Sequence, residues 1–159
     1  MAKAKKRKVA PGDVASNRYA SHRFVLLERF ECGVVLAGTE VKSLRAGGAT
    51  LKDGFATIRD GEMWLRNVHI PPYAPASRDN HDPDRDRKLL LHRRQIDRLG
   101  ARVAERGLTL VPTRIYFAGP RAKVEIALAR GKDVHDKRET LRRRDSQREI
   151  ERGLREARR

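Results

Sequence analysis

The sequence predicts a mainly β protein with helices: a small closed barrel with inserted short helices and a flexible basic C-terminal tail. Three observations carry this. Short runs with apolar residues at alternate positions, separated by glycine- and proline-rich bends, recur between residues 20 and 130. A helical apolar repeat over about residues 92–106 interrupts them. From Gly131 onward the chain is charged throughout and has almost nothing to bury.

Residues 22–36 read as two strands. Phe24, Leu26 and Phe30 alternate with Val25, Leu27 and Arg29, giving one apolar and one mixed face, and Gly33 supplies a bend or bulge before Val34. Thr39 reads as the N-cap of a brief helix over 38–45, with Glu40 near its positive end. Val41 and Leu44 are expected to face inward, and Lys42 and Arg45 outward. Strands are expected over 49–51, 55–59 and 63–68, and Asp60-Gly61 is a hairpin signal between the last two. Pro71, Pro72 and Pro75 take the chain out of the sheet, because proline removes ladder donors. The loop 77–87 alternates acid with base and offers no core residue. Ile96, Leu99 and Val103 mark the buried face of the longer helix, which Gly107 ends. A closing hairpin, 108–117 with 121–130, turns at Ala118-Gly119-Pro120. It places Val124, Ile126 and Leu128 on one face, and Lys123 and Glu125 on the other. Short strands with glycine-rich bends favour a closed barrel over a sandwich. An oligonucleotide-binding (OB) barrel fits this order; an open α+β sheet is the alternative.

The 159 residues suit one domain with extensions: a basic flexible extension over 1–16, a barrel over 17–130, and a tail over 131–159. The tail is expected to be disordered alone and helical along a polyanion. Glu149 precedes Arg152 by three positions and Glu151 precedes Arg155 by four, spacings that support a helix. The net charge of +16, from 37 Lys+Arg against 21 Asp+Glu, favours nucleic acid as the partner. Lys3, Lys5, Lys6, Arg7 and Lys8 extend the pattern to the other end. A single cysteine, Cys32, excludes an intrachain disulfide; no disulfide-linked partner is expected, and a reducing, cytoplasmic setting fits. No apolar run approaches a membrane span, and no apolar segment follows the first basic residues.

Catalytic chemistry finds no foothold. His22, His69, His81, His92 and His135 are scattered, so no metal is expected. Asp79, Asp82, Asp84 and Asp86 crowd one loop but are interleaved with Arg78, Arg85, Arg87 and Lys88. Gly47-Gly48 lacks phosphate-loop spacing, and Cys32 beside Glu31 has no basic partner and reads as a core cysteine. No cofactor and no enzyme activity are expected. Binding has better candidates: Lys42, Arg45, Arg87 and Lys88 for phosphates, the edges of Leu89–Leu91 and His92 for bases, and Glu31 as an acceptor from a base edge. The plain alternatives are core packing for the leucines and a solvated carboxylate for Glu31.

Five blocks then resemble, in order, the signatures of the bacterial small protein B family. They are Glu31-Cys-Gly-Val-Val-Leu-Ala-Gly-Thr-Glu-Val-Lys-Ser-Leu-Arg45, Arg87-Lys-Leu-Leu-Leu-His92, Gly107-Leu-Thr-Leu-Val-Pro112, Ala122-Lys-Val-Glu125 and Gly131-Lys-Asp-Val-His-Asp-Lys-Arg138. That family binds SsrA, the transfer-messenger RNA (tmRNA). The resemblance implies an OB-fold barrel without catalytic activity that binds the tRNA-like domain of tmRNA. It implies delivery of that RNA to stalled ribosomes for trans-translation. Carried over by position, it assigns Asn17, Glu31, Leu91 and Lys123 to the tmRNA-facing surface, with Lys42, Arg45 and His92 beside them. It assigns Gly131, Lys132, His135, Asp136, Lys137 and Arg138 to the start of a tail that enters the ribosomal decoding centre and the empty mRNA channel. Within that tail His135 is the sharpest candidate, since an imidazole both stacks and hydrogen-bonds. Asp133 departs from the pattern, standing where a basic residue is common. A ribosomal or ribosome-assembly protein with a basic tail is the competing reading.

Overall fold

The computed structural model describes residues 12–76, 78–105, 107–132 and 134–158, with the backbone alone for 134–137. The basic cluster Lys3–Lys8 and Asp133 lie outside the described residues.

The elements run β1 (Asp13–Ser16), α1 (Ala20–Arg23), β2 (Phe24–Val34), α2 (Gly38–Ala46), β3 (Phe55–Arg59), β4 (Glu62–Arg66), a 3-10 turn at Ala74–Ala76, β5 (Arg87–Leu90), α3 (Arg93–Val103), β6 (Leu108–Ala118), β7 (Arg121–Gly131) and α4 (Val134–Ala157). All strand pairs are antiparallel. The order β1-β6-β3-β4-β5-β2-β7, with β7 also paired to β6, closes the sheet into an OB-like barrel. Closure removes the sheet edge that an open arrangement would leave unpaired.

The barrel interior follows from alternation. Val124, Ile126 and Leu128 of β7 are fully buried, as are Met63 and Leu65 of β4 and Leu110 of β6. The other face of β7 is also covered at one end. Ala127 and Ala129 pack with Ala20 and Val111, capped by Phe24 and Leu26. Small side chains there let α1 lie flat on the sheet. The hairpin between β3 and β4 turns through Asp60 (φ 52°) and Gly61 (φ 73°), the double positive-φ geometry that this dipeptide favours.

Several expectations change. Within residues 22–36 a single strand, Phe24–Val34, follows α1 without a break, with an irregularity between Leu26 and Glu28 and none at Gly33. Residues 49–51 contribute only a bridge from Thr50 to His69. The ordered sheet begins at Asp13, inside the segment expected to be extension, because β1 pairs with β6. The N-cap of α2 is Ala37, and the Glu40 carboxylate accepts the Ala37 N–H at 2.8 Å. Thr39 instead holds His81 through its hydroxyl, 2.9 Å away.

The loop 77–87 is the largest correction. Arg87 belongs to β5 and is fully buried, as is Glu40. The Arg87 Nε donates to Glu40 at 2.7 Å, and its other nitrogens donate to the carbonyls of Val68 (2.7 Å) and Pro83 (2.9 Å). Arg85 adds two donors to the same carboxylate, at 2.9 and 2.5 Å. Burial alone would raise the Glu40 pKa. Hydrogen bonds from Arg85, the Ala37 N–H and Arg87 outweigh it and hold the pKa below its ordinary value. A buried charge is tolerated only when paired this fully. Arg87 therefore ties α2 to β5 and is unavailable to a phosphate.

Candidate nucleic-acid interface

Outward-facing residues of β2, β7 and β6 converge on one wall. Register places Lys123 of β7 beside Gly33 of β2 and Tyr116 of β6. The Tyr116 hydroxyl donates to the Glu31 carboxylate, and Lys123 Nζ stands 3.7 Å from the same group. Glu31 is thus held between two strands while its side chain stays 57% exposed. Burial, followed by the Glu31 hydrogen bond and charge, pushes the Tyr116 pKa up to about 12. Arg114 lies over the Tyr116 ring, 4.3 Å from its centroid, and bridges Asp13 (3.0 Å) and Glu125 (3.2 Å). The wall is an ordered network of charges, and Glu31 is more than a solvated carboxylate.

Glu31, Leu91, His92 and Lys123 line one depression of about 340 Å³, together with Gly33, Leu90 and Gln95. A neighbouring hollow of about 320 Å³ shares Gly33, Leu90 and Lys123 and reaches Arg121 and Val41. Leu91 is partly buried and packs against the core, whereas Leu90 is 52% exposed. The exposed apolar edge therefore belongs to Leu90 more than to Leu91. Gly33 makes room for it: a Cβ there would stand 3.1 Å from the Leu90 Cβ. His92 is exposed and precedes α3 as its N-cap, with its N–H donating to Gln95 at 3.2 Å.

Other candidates fall elsewhere. Lys42 and Arg45 are exposed on α2, over the rings of Tyr73 (5.8 Å) and Phe117 (4.7 Å), and neither lines these two hollows. Arg45 borders a separate depression with Asp13, Gly47 and Phe117. Asn17 is buried between β1 and α1. Its amide donates to the carbonyls of Leu51 (3.1 Å) and Pro112 (2.9 Å), and its side-chain oxygen accepts the Ala20 N–H (3.2 Å). Its role is to fix the turn between β1 and α1. Cys32 is a buried core residue, its pKa pushed up to about 12 by burial and then by the Glu31 charge.

Gly131 and Lys132 belong to the barrel. Gly131 pairs with Phe24 at the end of β7, the Lys132 N–H donates to the Arg23 carbonyl at 3.0 Å, and its Nζ donates to the Ser21 carbonyl at 2.9 Å. The tail proper is α4. Its apolar residues Leu141, Ile150 and Leu154 are 55–59% exposed, and Arg143 pairs with Glu139 at 2.7 Å. Arg144 donates to the His22 ring at 3.0 Å, touching the barrel once more. Arg138 is exposed on α4; the side chains of His135, Asp136 and Lys137 lie outside the described residues.

Among the described residues, no group of three or more His, Cys, Asp or Glu could hold a metal ion, and no helix is long and apolar enough to cross a membrane. An OB-like barrel with cations, a fixed carboxylate and an apolar edge on one wall, trailing an exposed basic helix, has the features of a nucleic-acid-binding protein. Comparison with known proteins narrows the class. The sequence pattern of the SmpB protein family matches residues 14–156, and the chain belongs to that family. It is 59% identical over 141 residues to the SsrA-binding protein of Mycolicibacterium gilvum (strain PYR-GCK), covering 89% of this chain and 86% of the relative. It is likewise 59% identical over 141 residues to the SsrA-binding protein of Mycobacterium leprae (strain TN), covering 89% and 88%. A solved chain described as "tmRNA-SmpB: a journey to the center of the bacterial ribosome" superposes with a TM-score of 0.67 at 48% identity, covering 81% of this chain and 94% of that one.

Proposed function

We infer that this chain binds tmRNA and acts with it on the ribosome in trans-translation. The observation that carries this is the wall of Glu31, Lys123, His92 and Leu90, held by Tyr116, in a chain 48% identical to the tmRNA-SmpB relative. Lys123 and Arg121 supply phosphate contacts, Glu31 accepts from a base edge, and Leu90 with His92 packs on exposed bases. The RNA on this wall is the tRNA-like domain. Asn17 acts by positioning, from beneath the surface.

The chain is a carrier without catalytic chemistry of its own, and it works in the cytoplasm, where its ribosomal partner is. The division of labour is two-part. The barrel holds a folded RNA, and α4, which buries little, finds its binding partner in ribosomal RNA of the decoding centre and the empty mRNA channel. Truncation after Lys132, which keeps β7 whole, tests this. tmRNA affinity should stay within a few-fold while tagging of stalled products in a reconstituted translation system is abolished. Equal loss of both would end the two-part account.

A further inference from the structure

The wall that carries Leu90 continues beyond β5. On β4, Met63 and Leu65 turn into the core, so Trp64 between them faces outward, partly exposed. Trp64 lies opposite Lys88 of β5, and Lys88 shares its outer face with Leu90 two residues on. Strands lie about 4.8 Å apart, so one strand step separates Trp64 from the strand that borders the depression. The surface from Glu31 to Trp64 is continuous.

Trp64 is the chain's one tryptophan, and its ring is covered by a cation: the Arg59 guanidinium sits 5.1 Å from the ring centroid. The neighbouring cations are compensated, Lys88 by Glu62 at 2.8 Å and Arg66 by Asp86 at 3.3 Å. Among the described residues, Arg59 has no carboxylate partner. An aromatic face with an uncompensated guanidinium suits a nucleotide, whose base stacks on either plane and whose phosphate meets the charge.

We propose that Trp64 and Arg59 form a stacking platform for an unpaired base of the same tmRNA that occupies the neighbouring depression. The proposal rests on the tmRNA-binding reading and extends the footprint across β5 to β4. It predicts one more base held than the Glu31 wall alone accounts for. A purely structural Arg59–Trp64 contact would leave RNA affinity unmoved.

The test titrates the whole chain with tmRNA, reading a gel shift and tryptophan emission together. Emission should fall with the same midpoint as the shift. Trp64→Ala should weaken binding about five- to hundredfold, the range of one base–aromatic stack, and Trp64→Phe less. Arg59→Ala should weaken it a few-fold. Thermal melts report whether each variant folds; if Trp64→Ala does not, Trp64→Phe, Arg59→Ala and the wild-type emission decide. A normal gel shift with emission unchanged, or emission quenched with affinity untouched by the folded variants, would overturn the platform while leaving the tmRNA reading intact. No shift by the wild type would overturn that reading, and the platform with it.

Discussion

The Tyr116 hydroxyl donates to the Glu31 carboxylate across the width of β7, above Lys123. The Lys123 ammonium, 3.7 Å away, attracts the same carboxylate. The carboxylate is thus aimed by a neutral donor and a cation together, and is left more than half exposed. Tyr116→Phe should leave the melting temperature within a few degrees and weaken tmRNA binding about three- to tenfold, the worth of one ordinary net hydrogen bond. Glu31→Ala should weaken binding further without unfolding the barrel. Unchanged affinity in both would remove this pair from the site.

Burial of Tyr116, together with the same bond, has a signature in base. Tyr116 titrates at about 12, above the ordinary value of 10.0. Because the folded pKa is raised, the folded state holds the proton that the unfolded state loses, so this group lowers stability as pH rises from 10 towards 12. Ultraviolet titration of the tyrosines should show one late step, and Glu31→Gln should move that step down. A titration identical in the two proteins would contradict the assignment.

The buried Glu40–Arg87 pair predicts an acid effect. The Glu40 pKa is lowered in the fold, so its contribution is present above the unfolded value of about 4.5 and is lost as pH falls through the folded pKa. Glu40→Gln leaves Arg87 buried without a counter-charge and should cost about 3–5 kcal/mol in urea unfolding at neutral pH. The variant's stability should also be flatter with pH below 4.5. A loss under 1 kcal/mol by that unfolding assay would mean that the pair does not clamp α2.

Asn17→Ala separates positioning from contact. Losing hydrogen bonds to Leu51, Pro112 and Ala20 should cost about 1–3 kcal/mol of stability. Below its melting range the variant should bind tmRNA within about twofold of wild type, well under the loss that one hydrogen bond to RNA would produce. A large affinity loss in a fully folded variant would restore Asn17 to the RNA-facing surface.

Much of the barrel was legible because its information is local. Alternation through Val124, Ile126 and Leu128 marks β7, Asp60-Gly61 marks the hairpin of β3 and β4, and Ile96 with Leu99 marks the buried face of α3. What escaped depends on partners distant in sequence. Arg87 looks like one more surface cation until Glu40, 47 positions away, is folded against it. Tyr116 carries no signal pointing to Glu31, 85 positions away. In Leu89-Leu90-Leu91 all three side chains are alike, and strand parity, with the missing Cβ of Gly33, decides that Leu90 is the exposed one. For Asn17 the residue type suits an RNA contact and a buried turn equally well, and its bonds to Leu51, Pro112 and Ala20 show only in the fold.

The central claim is specific recognition of tmRNA by the barrel wall. A mobility-shift titration with tmRNA, against excess bulk tRNA at near-physiological salt, tests it most directly, because phosphate contacts alone fade as salt rises. Tight binding that resists the competitor, and that Glu31→Ala weakens, is the predicted result. Equal binding to both RNAs would contradict it and leave a basic barrel without a preferred partner.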